Sequence, residues 1–277
     1  MLRALLIALP LFVTLPFDSA PPARGDVRAQ FLELAEKSDA IAVAKLWREN
    51  PYEILGAIDA DLEGALATWE KSPDAGVTDA IKKQNARAVW GARIASEATG
   101  HPIFADYATS YAGFTTEQKK SFRGGQKAHG RARKAMEAKD YAGAAKAGRE
   151  CADLALPLGD WWGYAMGLSA EGQALAASED NEKALVSLSQ ARVIYHDLGL
   201  VGDEYGCTRS MAKVLLALKR YERALATVRS AIALREIVGD EKGQMDLLMV
   251  RGEIETASGD MTAAAATRKE LEKLSKR

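Results

Sequence analysis

Asp140-Tyr141-Ala142-Gly143-Ala144 returns as Asp180-Asn181-Glu182-Lys183-Ala184, as Arg220-Tyr221-Glu222-Arg223-Ala224 and as Asp260-Met261-Thr262-Ala263-Ala264, each time 40 residues further on. A fixed period between 20 and 50 residues is the mark of a chain built from stacked supersecondary units. If each stretch opens the second helix of a unit, the first helices fall at Gly124–Ala138, Gly163–Ser178, Gly206–Lys219 and Gly243–Ser258. Small residues stand twelve positions before each anchoring alanine, at Ala132, Gly172, Ala212 and Gly252. Two helices approach closely only where side chains are small, so each of these is expected to cross Ala144, Ala184, Ala224 or Ala264. Leu185, Leu188 and Ala191, then Leu225, Val228 and Ala231, continue the apolar stripe at helical spacing. Leu158-Gly159-Asp160, Val201-Gly202-Asp203 and Val238-Gly239-Asp240 read as linkers, with Gly stopping one helix and Asp starting the next.

On these features residues 119–277 resemble the tetratricopeptide repeat family, in its longer variety with a period near 40 and a Gly-Asp linker. The resemblance implies an all-α fold, a right-handed solenoid of four antiparallel helix pairs whose first helices line a concave groove that holds peptides or protein segments. The aromatic and proline positions of the shorter consensus are mostly absent. Arg131, Glu171 and Arg251 stand before the small residue, where an apolar side chain is usual. Arg131 and Glu171, on equivalent faces of adjacent repeats, are expected to pair with each other, a contact that fixes register more than it stabilises. The family geometry places His129, Arg133, Ser169, Gln173, Arg209, Lys213, Met249 and Glu253 in the groove. Arg133, Arg209 and Lys213 make it suited to an acidic segment, since Arg grips a carboxylate in bidentate fashion and Lys meets it as a point charge. The Lys and Asn pattern of repeat proteins that clamp a C-terminal carboxylate is not reproduced.

Residues 26–115 lack the 40-residue echo but read as helix, over Val27–Glu36, Asp39–Glu49, Pro51–Trp69, Thr78–Ala98 and Pro102–Tyr111. They are expected either to extend the solenoid as degenerate hairpins or to form a small helical domain. Thr115 and Gln118 make a capping box ahead of the first repeat. Residues 1–20 carry Arg3, an uncharged run from Ala4 to Phe17 and small residues at Ser19 and Ala20, which reads as a cleaved signal peptide. The run falls short of the ~20 residues a membrane span needs, so an uncleaved anchor is the lesser alternative. The expected location is therefore periplasmic or secreted.

Overall charge is −1 with 48% apolar residues, so nothing global draws the chain to nucleic acid or membrane. Lys119–Lys139 nevertheless holds eight basic residues against Glu137 alone, with Arg123, Lys127, Arg131 and Lys134 spaced as one ridge. Trp161-Trp162 reads as packing at the start of a repeat, one ring between layers and the other partly exposed, and Trp47, Trp69 and Trp90 as one ring per helix in the N-terminal core. Cys151 and Cys207 lie in non-adjacent repeats and read as free, buried thiols, because neighbouring layers alone touch in a solenoid. His101, His129 and His196 are too scattered to bind metal, and neither a metal nor a cofactor is expected. The chain has no Gly-x-Ser-x-Gly, His-Glu-x-x-His, Walker loop or Cys-x-x-Cys, and its carboxylates are expected on exposed faces. What emerges is a non-catalytic module that binds a partner polypeptide, monomeric by preference, with a structural role in an envelope complex, assembled through end faces or self-association, as the alternative.

Overall fold

A computed structural model describes residues 24–240 and 243–275; the segment read as a signal peptide lies outside them. The described residues form thirteen α-helices and no strand. Five come first: α1 (Arg24–Glu36), α2 (Ala40–Glu49), α3 (Ile54–Lys71), α4 (Asp79–Thr99) and α5 (Ile103–Ala112). Four pairs follow: α6 (Thr116–Glu137) with α7 (Tyr141–Ala155), α8 (Trp161–Ala177) with α9 (Asn181–Asp197), α10 (Val201–Ala217) with α11 (Tyr221–Val238), and α12 (Gly243–Ser258) with α13 (Met261–Leu274). From α6 onward each helix packs against the next, and α6 with α8, α8 with α10 and α10 with α12 also touch.

The period reappears as geometry. Lys139, Glu179, Lys219 and Gly259 all adopt positive φ, between 57° and 86°, and reverse the chain within each pair. The next amide in each case closes the same bond onto the helix just ended: Asp140 donates to Ala135, Asp180 to Leu175, Arg220 to Leu215 and Asp260 to Glu255, each at 2.9 Å. This is the six-residue closure that satisfies orphan carbonyls at a helix end. Asp140 and Asp260 then cap the following helix by accepting from the Gly143 and Ala263 amides. All four anchoring alanines are buried, as are Ala132 and Ala212. At Gly172 a Cβ would lie 2.7 Å from Leu188 Cγ and 3.1 Å from its amide nitrogen, which is why the crossing excludes even a methyl group. The approach is closer still between layers, where a Cβ on Gly167 would meet the Ala152 amide nitrogen at 2.4 Å.

Two expectations are corrected. Val201-Gly202-Asp203 is not a linker: it forms the first turn of α10, and the stop is Gly199 at φ 68°, between Gly159 at 67° and Gly239 at 73°. Leu200 occupies the cap without a side-chain bond and packs instead on the apolar residues to either side. Arg131 does not pair with Glu171. Its guanidinium reaches Glu150 on α7 at 2.7 Å, and Glu171 takes Arg149 Nε at 2.9 Å and the Ser187 hydroxyl at 2.9 Å. Helix α7 lies beside both residues and supplies each with a nearer partner of opposite sign.

The N-terminal helices pack around Phe31, Trp47, Ile58, Leu62 and Tyr107, and this core takes in Phe122 of α6 together with Leu158 and Leu198 from the turns between repeats. Trp161 and Trp162 are both partly buried against it. Gly199 is pressed so closely to α2's end that a Cβ would lie 2.6 Å from the Pro51 carbonyl oxygen, and one on Gly159 would meet the Ser110 hydroxyl at 2.7 Å. The α2–α3 turn and α5 therefore lie against the turns that join one helix pair to the next. The α1–α2 turn is itself a copy of the repeat turn, with Ser38 at φ 53°, the Asp39 amide donating to Leu34 and the Asp39 carboxylate capping Ala42.

Candidate functional site

Arg133, Gln173, Lys213 and Glu253 each stand one residue past a small crossing residue, on α6, α8, α10 and α12, and all four are exposed. Since those helices also touch in sequence, the four side chains form a row with one polar group per layer. The residues one turn earlier behave differently. His129 and Arg209 are half-buried, Met249 is exposed, and Ser169 is buried between α8 and α10. The Ser169 hydroxyl accepts from Gln173 Nε2 at 2.9 Å and from the Cys207 thiol at 3.4 Å, so it supports the row from beneath rather than lining it. This corrects its placement as a surface contact.

The cations of the row are not equivalent. Lys213 Nζ lies 3.1 Å from Asp246 Oδ1 on the following layer, and Arg209 Nη1 lies 3.6 Å from Oδ2 of the same carboxylate, an ion-pair distance rather than a hydrogen bond. Arg209 also covers the Tyr205 ring at 5.7 Å. Arg133 has no ion-pair partner among the described residues; it sits near His129, whose pKa is lowered first by burial and then by that positive charge. An incoming acidic group would thus meet one open guanidinium and two cations that share an aspartate.

The basic run of α6 is partly spent on the chain itself. Arg123 grips Glu70 through two bonds, at 2.7 and 2.9 Å, and reaches Glu63 at 3.0 Å, while Lys119 lies 4.4 Å above the Trp69 ring. Arg131 is taken by Glu150. The ridge of four basic residues is therefore reduced to Lys127 and Lys134, and the acidic α3 is its main counterpart.

A second cluster, at the junction of the N-terminal helices with the repeats, carries no sequence motif. The Tyr107 hydroxyl donates to Asp59 Oδ1 at 2.5 Å, and burial raises this carboxyl's pKa to about 6. Asp160, which accepts from the Gly163 amide at 2.8 Å, is pushed up to about 7, chiefly by burial, with Asp59 and Glu63 adding repulsion. The Tyr111 hydroxyl is raised too, by burial first and then by Glu63 and Asp59. Asp160, with Asp61, Glu204 and Glu255, corrects the expectation that carboxylates lie on exposed faces. Asp61 is fully buried between Arg28 at 2.9 Å and Arg87 at 2.6 Å, Glu204 takes His196 at 3.1 Å, and Glu255 accepts from Thr267 and Arg251 at 2.7 Å each. A buried charge survives only when paired or hydrogen-bonded, which is the case for each of the three.

Cys151 and Cys207 are free and buried, as expected. Among the described residues no three His, Cys, Asp or Glu side chains are grouped to hold a metal ion, and no helix is long and apolar enough to cross a membrane. No protein-family model and no curated protein matches the chain.

Proposed function

We propose that the chain is a non-catalytic interaction module of the tetratricopeptide type, exported from the cytoplasm, which holds an acidic polypeptide segment against α6, α8, α10 and α12 of a right-handed solenoid. What carries this proposal is the row Arg133, Gln173, Lys213 and Glu253, one exposed polar group per layer on helices that pack together every second element. A stack in which first helices touch across layers curves toward them, so their outer faces turn into a concave surface. Exposed Met249 gives one end of that surface an adaptable apolar contact. The three cations lie on α6 and α10 and Glu253 on α12, which favours a ligand whose acidic residues lead toward the N-terminal layers.

Selection from a random peptide library on the full chain tests this. Enriched peptides should be acidic, and Arg209→Ala with Lys213→Ala should weaken them by about tenfold, the loss expected from two charge-assisted contacts of moderate strength. Asp246→Ala should tighten them by freeing both cations. Selection without enrichment, or enriched peptides that ignore both changes, would remove the groove from consideration. Assembly through self-association is the second reading, favoured by one observation, the exposed apolar surface of α2.

A further inference from the structure

Two open clefts lie in the described chain, the first adjoining the end of the polar row at Glu253. One, of about 450 Å³, runs between α12 and α13 and is lined by Met249, Gly252, Thr256, Ala257 and Leu271, with Glu253 and Arg268 at its rim. The other, of about 320 Å³, lies between α2 and α4 and is lined by Ala40, Ile41, Ala44, Ile94 and Ala98, with Arg48 and Glu97 at its rim.

The repeat period says what the first cleft is shaped to receive. Forty residues earlier, Gly252, Ala264, Arg268 and Leu271 correspond to Ala212, Ala224, Val228 and Ala231, all buried, and α12 packs on both helices that carry them. The cleft thus has the form of a seat for a helix. On the other surface, Ala40, Ala44 and Arg48 fall at intervals of four on α2 and share one face with Ile41. The two alanines permit close approach, and Ile41 is the most exposed large apolar side chain of the chain's described part, at 84%. The rims are complementary in charge: one carries Glu253 and Arg268, the other Arg48 and Glu97. None of the four has an ion-pair partner among the described residues, whereas Lys45 pairs with Glu49 and Arg251 with Glu255 close by.

We propose that the α2 face of one copy seats in the α12–α13 cleft of another, with Ile41 entering beside Met249, Ala257 and Leu271, Arg48 meeting Glu253 and Glu97 meeting Arg268. The contact joins two different surfaces, so it is heterologous and propagates from copy to copy. A ten-residue helix in a single cleft makes a small interface, and the association is correspondingly weak. The exposed Lys269, Glu270, Glu272 and Lys273 keep the rest of α13 solvated and confine the contact to the cleft. The contact shares Met249 and Glu253 with the proposed groove, so the test varies Glu97, Arg268 and Ile41, which lie outside the row.

Sedimentation velocity of the full chain at low ionic strength, over a wide concentration range, should show average mass rising with concentration. Glu97→Arg and Arg268→Glu should each raise the association midpoint by about tenfold, since each turns an attractive pair into a repulsive one. The two changes in one chain should restore it, because the reversed charges again match. Ile41→Ser should weaken association without altering the melting temperature. A wild-type chain that stays monomeric throughout overturns the proposal and leaves the Ile41 face to a different protein. Association that ignores both single reversals, or that the double reversal fails to restore, overturns the pairing.

Discussion

Raising the pH from 5 to 8 should loosen the junction between the N-terminal helices and the repeats, and Asp160→Asn should cancel the loss attributable to that carboxyl. Asp160 is 6% exposed, caps α8 through the Gly163 amide, and has Asp59 and Glu63 as acidic neighbours. Burial, reinforced by that repulsion, lifts its pKa from 3.8 to about 7. The folded chain therefore binds this proton more tightly than the unfolded chain does. Its contribution to stability is undiminished below the unfolded pKa, falls as the pH climbs from 3.8 toward 7, and is flat above. Between pH 5 and pH 8 the fall spans about two pKa units, or about 3 kcal/mol. Asparagine caps a helix about as well as aspartate and does not ionise, so the substitution keeps the Gly163 bond while removing the titration. Asp59, at about 6, titrates in the same window and Tyr107 is its hydrogen-bond donor. His129, with its pKa lowered, works in the opposite direction as the pH falls. Subtracting one chain from the other leaves the titration of Asp160 together with its repulsion from Asp59. Urea unfolding followed by circular dichroism at pH 5, 6, 7 and 8 should show the variant gaining about 3 kcal/mol on the wild type across the series. Parallel curves for the two proteins would refute the assignment of the charged form as the disfavoured one.

Gly167→Ala should cost about 1 to 3 kcal/mol in urea unfolding, because its methyl group would meet the backbone of α7 at 2.4 Å and force α7 and α8 apart. Gly202→Ala, with nothing within 4 Å, is the control and should raise stability by about 0.5 kcal/mol. Asp61→Ala should cost about 1 to 3 kcal/mol, measured the same way, since it removes the carboxylate that the part-buried Arg28 and Arg87 guanidiniums share. The Cys151 and Cys207 thiols, pushed by burial up to about 12 and about 11, should react with a thiol reagent at pH 8 only after denaturant is added. Rapid labelling of the native chain would show that the layers holding them open freely.

These tests separate what repeats from what does not, and the same division explains which features were legible in the residues. The turns at Lys139, Glu179, Lys219 and Gly259 could be placed because a hairpin's closure depends on a few consecutive residues, and those recur. Gly199 could have been found by the same means, since it lies midway between Gly159 and Gly239; the Gly202-Asp203 dipeptide drew attention away from it. An Asp cap is dispensable there because Leu200 gains burial on both sides. The row of Arg133, Gln173, Lys213 and Glu253 was legible because its offset from the crossing is set by one helix alone. Ser169 and Asp246 were not, since burial of the first and capture of two cations by the second depend on the neighbouring layer.

The α1–α2 hairpin shows how a rule about pairs fails. It has the repeat turn, but Phe31 and Val43 stand where the other hairpins place a small residue and an alanine, so a search for small crossings passes over it. The room is made on a third helix: a Cβ on Gly91 of α4 would lie 2.6 Å from Phe31 Cζ, and the Gly91 carbonyl takes the Trp47 indole at 3.1 Å. Size complementarity is conserved there as a sum over three helices rather than two. The junction was further out of reach, because Asp59 meets Tyr107 across 48 positions and neither residue stands in a pattern with the other. The repeated helix pairs speak through periodicity; the helices packed beside them answer to several pairs at once. Around that junction, at Asp59 and Asp160, burial raises two carboxyl groups well above their ordinary range.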